Sequence, residues 1–155
     1  KYSTKLQLKN CRLARRYEMA DRNLKRIAMC SCGKASIEVK GEPEIHGICH
    51  CNNCKQRTGS AFGISAYFKT ENILAINGEF SCYSFHGSQT NSLQQRYFCK
   101  FCGTTLYWNL ASCPDLTGIA GGCLVENPLG VPRYSNSYKS KFSWVKLPWR
   151  MKKYS

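Results

Sequence analysis

The sequence predicts a mainly β fold of one domain, punctuated by cysteine pairs. Three observations predict it. Ala35, Ile37 and Val39 alternate with Ser36, Glu38 and Lys40, and Phe62, Ile64, Ala66 and Phe68 alternate with smaller residues; period two is the signature of a half-buried strand. Asn77-Gly78 separates the apolar run Ile73–Ile76 from Phe80–Phe85, and Asn-Gly accepts positive φ at both positions of a tight hairpin turn. Arg96-Tyr97-Phe98 leads into Cys99-Lys100-Phe101-Cys102-Gly103, and Thr104–Trp108 leads out. That strand–knuckle–strand pattern is like a zinc ribbon.

The chain has 155 residues, 43% of them hydrophobic and 12% aromatic, enough for one domain with a buried core. No run of about 18 apolar residues occurs, so no transmembrane helix is expected. No secretory signal is read in the first 28 residues. Eleven cysteines are too many and too closely spaced for ordinary core packing. Metal binding is favoured over a disulfide framework, because Cys-x-Cys neighbours make poor disulfide partners and the chain exceeds the size of disulfide scaffolds. Free thiols imply a reducing compartment, most simply the cytoplasm.

Taken in order, residues 1–28 form a basic N-terminal extension with a loose helical stripe of Leu6, Leu13, Tyr17, Ala20, Leu24 and Ile27. A nucleic-acid arm, a membrane-surface helix and a targeting remnant are alternatives to the favoured reading, a solvated extension packing a few apolar residues on the domain. Cys11 there is read as a free thiol. The domain is placed at residues 29–149. It opens with Cys30-Ser31-Cys32-Gly33 and the strand ending at Gly41-Glu42-Pro43. The second strand follows the three-cysteine stretch, and then comes the Asn77-Gly78 hairpin. His86–Ser92 reads as a polar loop, and Leu116–Val125 as a further strand. Pro128–Trp149 reads as loop with short extended pieces. Residues 150–155 are a basic tail.

The formal net charge is +14, but it belongs to the ends. Residues 1–28 hold nine Lys/Arg against Glu18 and Asp21, and residues 139–155 hold six and no acid. The middle, 29–138, holds eight against seven. The chemistry therefore lies in a near-neutral body.

Cys99 and Cys102, followed by Gly103, and Cys30 and Cys32, followed by Gly33, each aim two sulfurs at one point. Together they supply the four thiolates of a closed structural zinc site, and the glycines let backbone amides turn toward the sulfurs. Cys49-His50-Cys51-Asn52-Asn53-Cys54 supplies three more. One reading is a zinc with its fourth position open to water or substrate. The other is a second structural site completed by Cys82, Cys113, Cys123 or a histidine. The open site is favoured. A zinc held by three thiolates is a weak Lewis acid, better suited to activating a thiol than to making hydroxide. His50 lies between ligands and reads as facing away from them, with a surface position as the plainest alternative; His46 and His86 are weaker candidates. Cys82, Cys113 and Cys123 read as small buried hydrophobes. Lys55, Arg57 and Ser60 are candidate contacts for an anionic substrate, or else turn residues in solvent.

These residues carry a resemblance. Cys30-Ser31-Cys32-Gly33, Cys49 to Cys54 with Arg57, Gly59, Ser60 and Phe62, Arg96 to Thr104, Gly122 to Pro128, and Lys141-Phe142-Ser143-Trp144 before Pro148 resemble the glutathione-dependent formaldehyde-activating enzyme family, whose domain also occurs in centromere protein V. The resemblance covers about residues 29–149. It implies an Mss4-like zinc-dependent β fold with two zinc ions, one structural on Cys30, Cys32, Cys99 and Cys102, and one at Cys49, Cys51 and Cys54. It also implies a carbon–sulfur lyase-type activity, condensation of formaldehyde with glutathione to S-hydroxymethylglutathione. The leading expectation is therefore a zinc enzyme reacting at Cys49, Cys51 and Cys54, with glutathione as partner. Two other expectations stand beside it: a zinc-stabilised module whose basic ends hold nucleic acid, and a glutathione carrier without turnover.

Overall fold

The computed structural model describes residues 23–87 and 91–155. The N-terminal helical stripe up to residue 22, Cys11 within it, and the middle of the polar loop lie outside the described residues. Period-two alternation decides which side chains meet between two sheets. Strands β1 (Lys25–Met29), β2 (Ser36–Lys40) and β5 (Ile73–Asn77) form a three-stranded antiparallel sheet in the order β1-β2-β5. The larger sheet has eight strands in the order β11-β10-β3-β4-β9-β8-β7-β6. Its members are β3 (Ile45–Cys49), β4 (Gly63–Lys69), β6 (Phe80–His86), β7 (Leu93–Cys99), β8 (Thr105–Leu110), β9 (Leu116–Ala120), β10 (Tyr134–Asn136) and β11 (Lys152–Lys153). Helix α1 (Asn52–Thr58) follows β3. The mainly β expectation thus holds.

The two faces of the large sheet carry different chemistry. Register places Tyr97, Tyr107, Ile119, Ala66 and His46 side by side across β7, β8, β9, β4 and β3. This row belongs to the core face, where Ala66, Phe68, Leu106 and Ile119 join Ala28, Ile37 and Val39 of the small sheet in one apolar cluster. Each large apolar side chain buried there contributes about 1.5–3 kcal/mol. One residue along each strand, the opposite face presents the row Arg96, Trp108, Gly118 and Tyr67. That second face borders the site.

Several sequence expectations need revision. Asn77-Gly78 does not close a hairpin: β5 pairs with β2 in the small sheet, while β6 pairs with β7 in the large one. A tight hairpin turn of this kind needs positive φ at both residues, and here only Gly78 has it, at 99°. A Cβ on Gly78 would lie 2.2 Å from Lys34 O, so this glycine lets the chain cross from sheet to sheet against the segment that leads into β2. The strand expected over Leu116–Val125 stops at Ala120, and a 3-10 turn takes Gly121–Cys123. Residues 25–28, read as extension, belong to β1, where Arg26 is buried and pairs with Glu42 while donating to Gly41 O and Asn127 O. The tail contributes β11, parallel to β10.

Candidate functional site

The two outer cysteine pairs meet across the sheets. Cys30 and Cys32 sit at the tip between β1 and β2, and Cys99 and Cys102 at the tip between β7 and β8. Their four sulfurs all lie within 4.8 Å of one another. Cys30 Sγ is 3.5 Å from Cys32 Sγ, and Cys32 Sγ is 3.8 Å from Cys99 Sγ. Sulfurs about 2.3 Å from a shared tetrahedral ion stand roughly 3.8 Å apart, so these spacings suit a four-thiolate metal site. The turns are built for it. Gly33 and Gly103 take φ of 74° and 72°, Gly103 N–H closes on Cys99 O at 2.9 Å, and Ala35 N–H points at Cys30 Sγ at 3.2 Å. Thr104, not singled out as a site residue from sequence, latches the two tips. Its hydroxyl lies 2.9 Å from Ser31 Oγ and 3.3 Å from Cys102 Sγ. That hydroxyl, and after it the Thr104 backbone, holds the Cys102 thiol down at about 5.

Cys49, Cys51 and Cys54 form a second group with sulfurs within 4.8 Å. Cys49 ends β3, and Cys51 is the N-cap of α1, accepting from Cys54 N–H at 3.4 Å. Gly59 closes the helix in the left-handed region at φ 59°. No helix was expected here, where turn residues were one of two alternatives, because the helix has only seven residues and its cap is a sulfur in place of the usual hydroxyl or carboxylate. Hydrogen bonds from the Cys49 and Cys54 thiols draw Cys51 down to about 2, and the same crowding by Cys49 and Cys51 pushes Cys54 up. Three sulfurs this close together are a group that could hold a cation. Among the described residues no fourth His, Cys, Asp or Glu joins the group, so Cys82, Cys113 and Cys123 do not complete it. Nor are those three buried: Cys82 is exposed and the other two are half-buried.

His50 is not on the surface. It is 0% exposed, with Nδ1 3.4 Å from Ala61 O and its ring edge-on to Phe62. Its alternation with Cys49 turns it away from the sulfurs and into the protein, and burial lowers its pKa. His46 is 4% exposed within the core face. Burial, then the Arg133 and Arg26 charges, lower it to about 4.

The three candidate substrate contacts fare differently. Lys55 Nζ donates to Ser140 O at 3.2 Å and lies 4.6 Å above the Phe142 ring. Ser60 is exposed at the helix end, its backbone N–H bonded to Lys55 O at 3.3 Å. Arg57 turns toward the sheet and stacks 4.9 Å over Trp108. Beside it the fold brings residues that the sequence reading did not single out. Arg96 Nη2 donates to Asn53 Oδ1 of α1 and to Gln94 Oε1, and its guanidinium lies 4.4 Å over Phe85. Burial foremost, then the Arg57 charge, lowers the Arg96 pKa, against the pull of Cys54 and Cys51. Ser137, a non-glycine at φ 51° and ψ 45°, places Oγ 3.8 Å from Cys49 Sγ. Neither Arg57 nor Arg96 belongs to any of the three ion pairs among the described residues. No single motif could have revealed this grouping; cross-strand register creates it.

Residues 25–140 match the family model described as glutathione-dependent formaldehyde-activating enzyme. A crystal structure of a Rhodobacter sphaeroides protein is similar at 26% identity, with a TM-score of 0.50, over 68% of this chain and 92% of that one. Among the described residues no helix is long and apolar enough to cross a membrane.

Proposed function

This chain belongs to the glutathione-dependent formaldehyde-activating enzyme family, and on that premise we propose that it is a zinc-dependent carbon–sulfur lyase-type enzyme joining glutathione and formaldehyde. The observation that carries the reading is the three-sulfur group of Cys49, Cys51 and Cys54, to which no fourth described donor is added. These three would hold a reactive-site zinc, and Cys30, Cys32, Cys99 and Cys102 a structural one. The reactive-site zinc would supply a thiolate at neutral pH by lowering the pKa of a bound thiol.

The chain's own residues then bind and orient. Arg57 and Arg96, in no described ion pair, place positive charge beside the sulfurs, which suits glutathione with its net negative charge. We assign Arg57 the main contact with a substrate carboxylate, with Lys55 and Ser60 secondary, because the Lys55 ammonium is turned toward Ser140 O. Cysteines free throughout the described residues suit a cytoplasmic setting. The nucleic-acid reading of the basic ends gains no support from the family match.

The test pairs metal analysis with NMR observation of adduct formation from glutathione and formaldehyde. The reading expects two zinc ions and accelerated formation of S-hydroxymethylglutathione. Cys54→Ser is expected to lose one zinc and the acceleration while keeping its fold. Full activity in that variant would sink the proposed centre, and glutathione binding without acceleration would identify a carrier.

A further inference from the structure

We propose that Tyr67 is a catalytic residue of this site, donating its hydroxyl proton to the carbonyl oxygen as the carbon–sulfur bond forms. The inference rests on the enzymatic reading above and adds a group to it. Tyr67 stands on the face of β4 that carries Gly63, opposite Cys49 across the β3–β4 pair. Trp108 Nε1 donates to its hydroxyl oxygen at 3.1 Å, with the two rings edge-on at 5.9 Å and 82°. The oxygen is thereby fixed as an acceptor. The phenol is half-buried, so with its oxygen held by the indole N–H the hydroxyl's own proton can be given to a group that enters the site.

Two missing side chains make this arrangement. A Cβ on Gly118, between Trp108 and Tyr67 in the row, would lie 2.1 Å from Trp108 Nε1. A Cβ on Gly63 would lie 2.6 Å from Arg57 Nη2. The indole and the guanidinium occupy the spaces so left, the indole holding the phenol oxygen and the guanidinium stacked on the indole. The hydroxyl is also within electrostatic range of the sulfurs. Burial foremost, with the Cys54 and Cys49 charges adding to it, pushes the phenol up to about 12. A phenol keeps its proton at neutral pH, and in this proposal it gives that proton to the oxygen on which an alkoxide develops.

The step balances. The substrate sulfur's electron pair forms the bond to the aldehyde carbon, and the carbonyl π pair moves to oxygen. Oxygen takes the Tyr67 proton, and the proton lost earlier by the substrate thiol restores the phenol. The sum is thiol plus aldehyde to hemithioacetal, with nothing oxidised or reduced.

The experiment uses the zinc-loaded full chain. Tyr67→Phe removes the proton and keeps the ring. The expected result is a loss of about 100-fold or more in the rate of adduct formation, with glutathione affinity by calorimetry and zinc content unchanged. Fluorotyrosines placed at 67 keep the size and the Trp108 contact but change phenol acidity, so the rate must follow their acidity if the proton moves in the step. A Tyr67→Phe rate close to that of the unaltered chain, or rates indifferent to fluorination, would overturn the proposal while leaving the enzymatic reading intact. An unaltered chain that accelerates nothing would overturn both.

Discussion

Replacing Gly118 by alanine tests the arrangement that joins the sheet to the site. Its backbone is ordinary extended strand, so alanine meets no conformational penalty there. The obstacle is the indole of Trp108, which would stand 2.1 Å (Nε1), 2.3 Å (Cε2) and 2.8 Å (Cδ1) from the new Cβ. Carbon contacts settle at about 3.5 Å, so the ring must retreat by roughly 1.4 Å. Trp108 is only 3% exposed and has little room to move. The retreat would break its 3.1 Å bond to Tyr67. Overpacking costs about 1–3 kcal/mol and the lost hydrogen bond about 1 kcal/mol, against a gain of about 0.5–1 kcal/mol from replacing a strand glycine. A net destabilisation of about 2 kcal/mol is expected, which in a domain of this size lowers Tm by about 4–8 °C. Urea and thermal unfolding of zinc-loaded protein measure it, with tryptophan emission reporting the indole's surroundings. Gly130→Ala, where a Cβ meets nothing within 4 Å, is the control. Trp108→Leu in the Gly118→Ala background should recover part of the loss. If Gly118→Ala matched the unaltered chain in both stability and emission, the packing argument would be refuted.

Two further outcomes follow from the cysteine tips and from His46. Cys102→Ser should release one zinc and uncouple the β1–β2 tip from the β7–β8 tip, lowering Tm by several degrees; chelation of the unaltered chain should lower it at least as far, as metal release and melting curves would show. His46 has a folded pKa of about 4, below its unfolded value of about 6.5. Its contribution to stability is therefore complete above about pH 6.5 and declines as pH falls toward 4, by up to about 3 kcal/mol. His46→Leu should flatten that part of the pH–stability curve; an unchanged slope in urea titrations would contradict the burial argument.

The seven clustered cysteines were legible because a Cys-x-Cys or Cys-x-x-Cys spacing is short enough for the local chain to aim both sulfurs. The glycines after Cys32 and Cys102 were legible for the same local reason. Strands at Ser36–Lys40 and Gly63–Lys69 followed from alternation. Where the reading failed, the competing force was tertiary. Asn77-Gly78 has the composition of a hairpin turn, but β2 supplies β5 with a different partner. α1 escaped notice because a seven-residue helix capped by a sulfur shows little apolar period. His50 looks like a surface polar residue until β10 and Phe62 enclose it.

The sequence by itself determined the mainly β class, the sulfur sets and the concentration of charge at the ends, since each depends on residue type and near spacing. Only the tertiary structure decided what stands around the three-sulfur group. Arg96, Trp108, Gly118 and Tyr67 come from four strands spread along the chain, and they form one row only because of the β7-β8-β9-β4 register. A one-residue slip in any of those pairings would send part of the row to the core face. Hydrogen-bonded register is a property of the assembled sheet, and no single strand contains it.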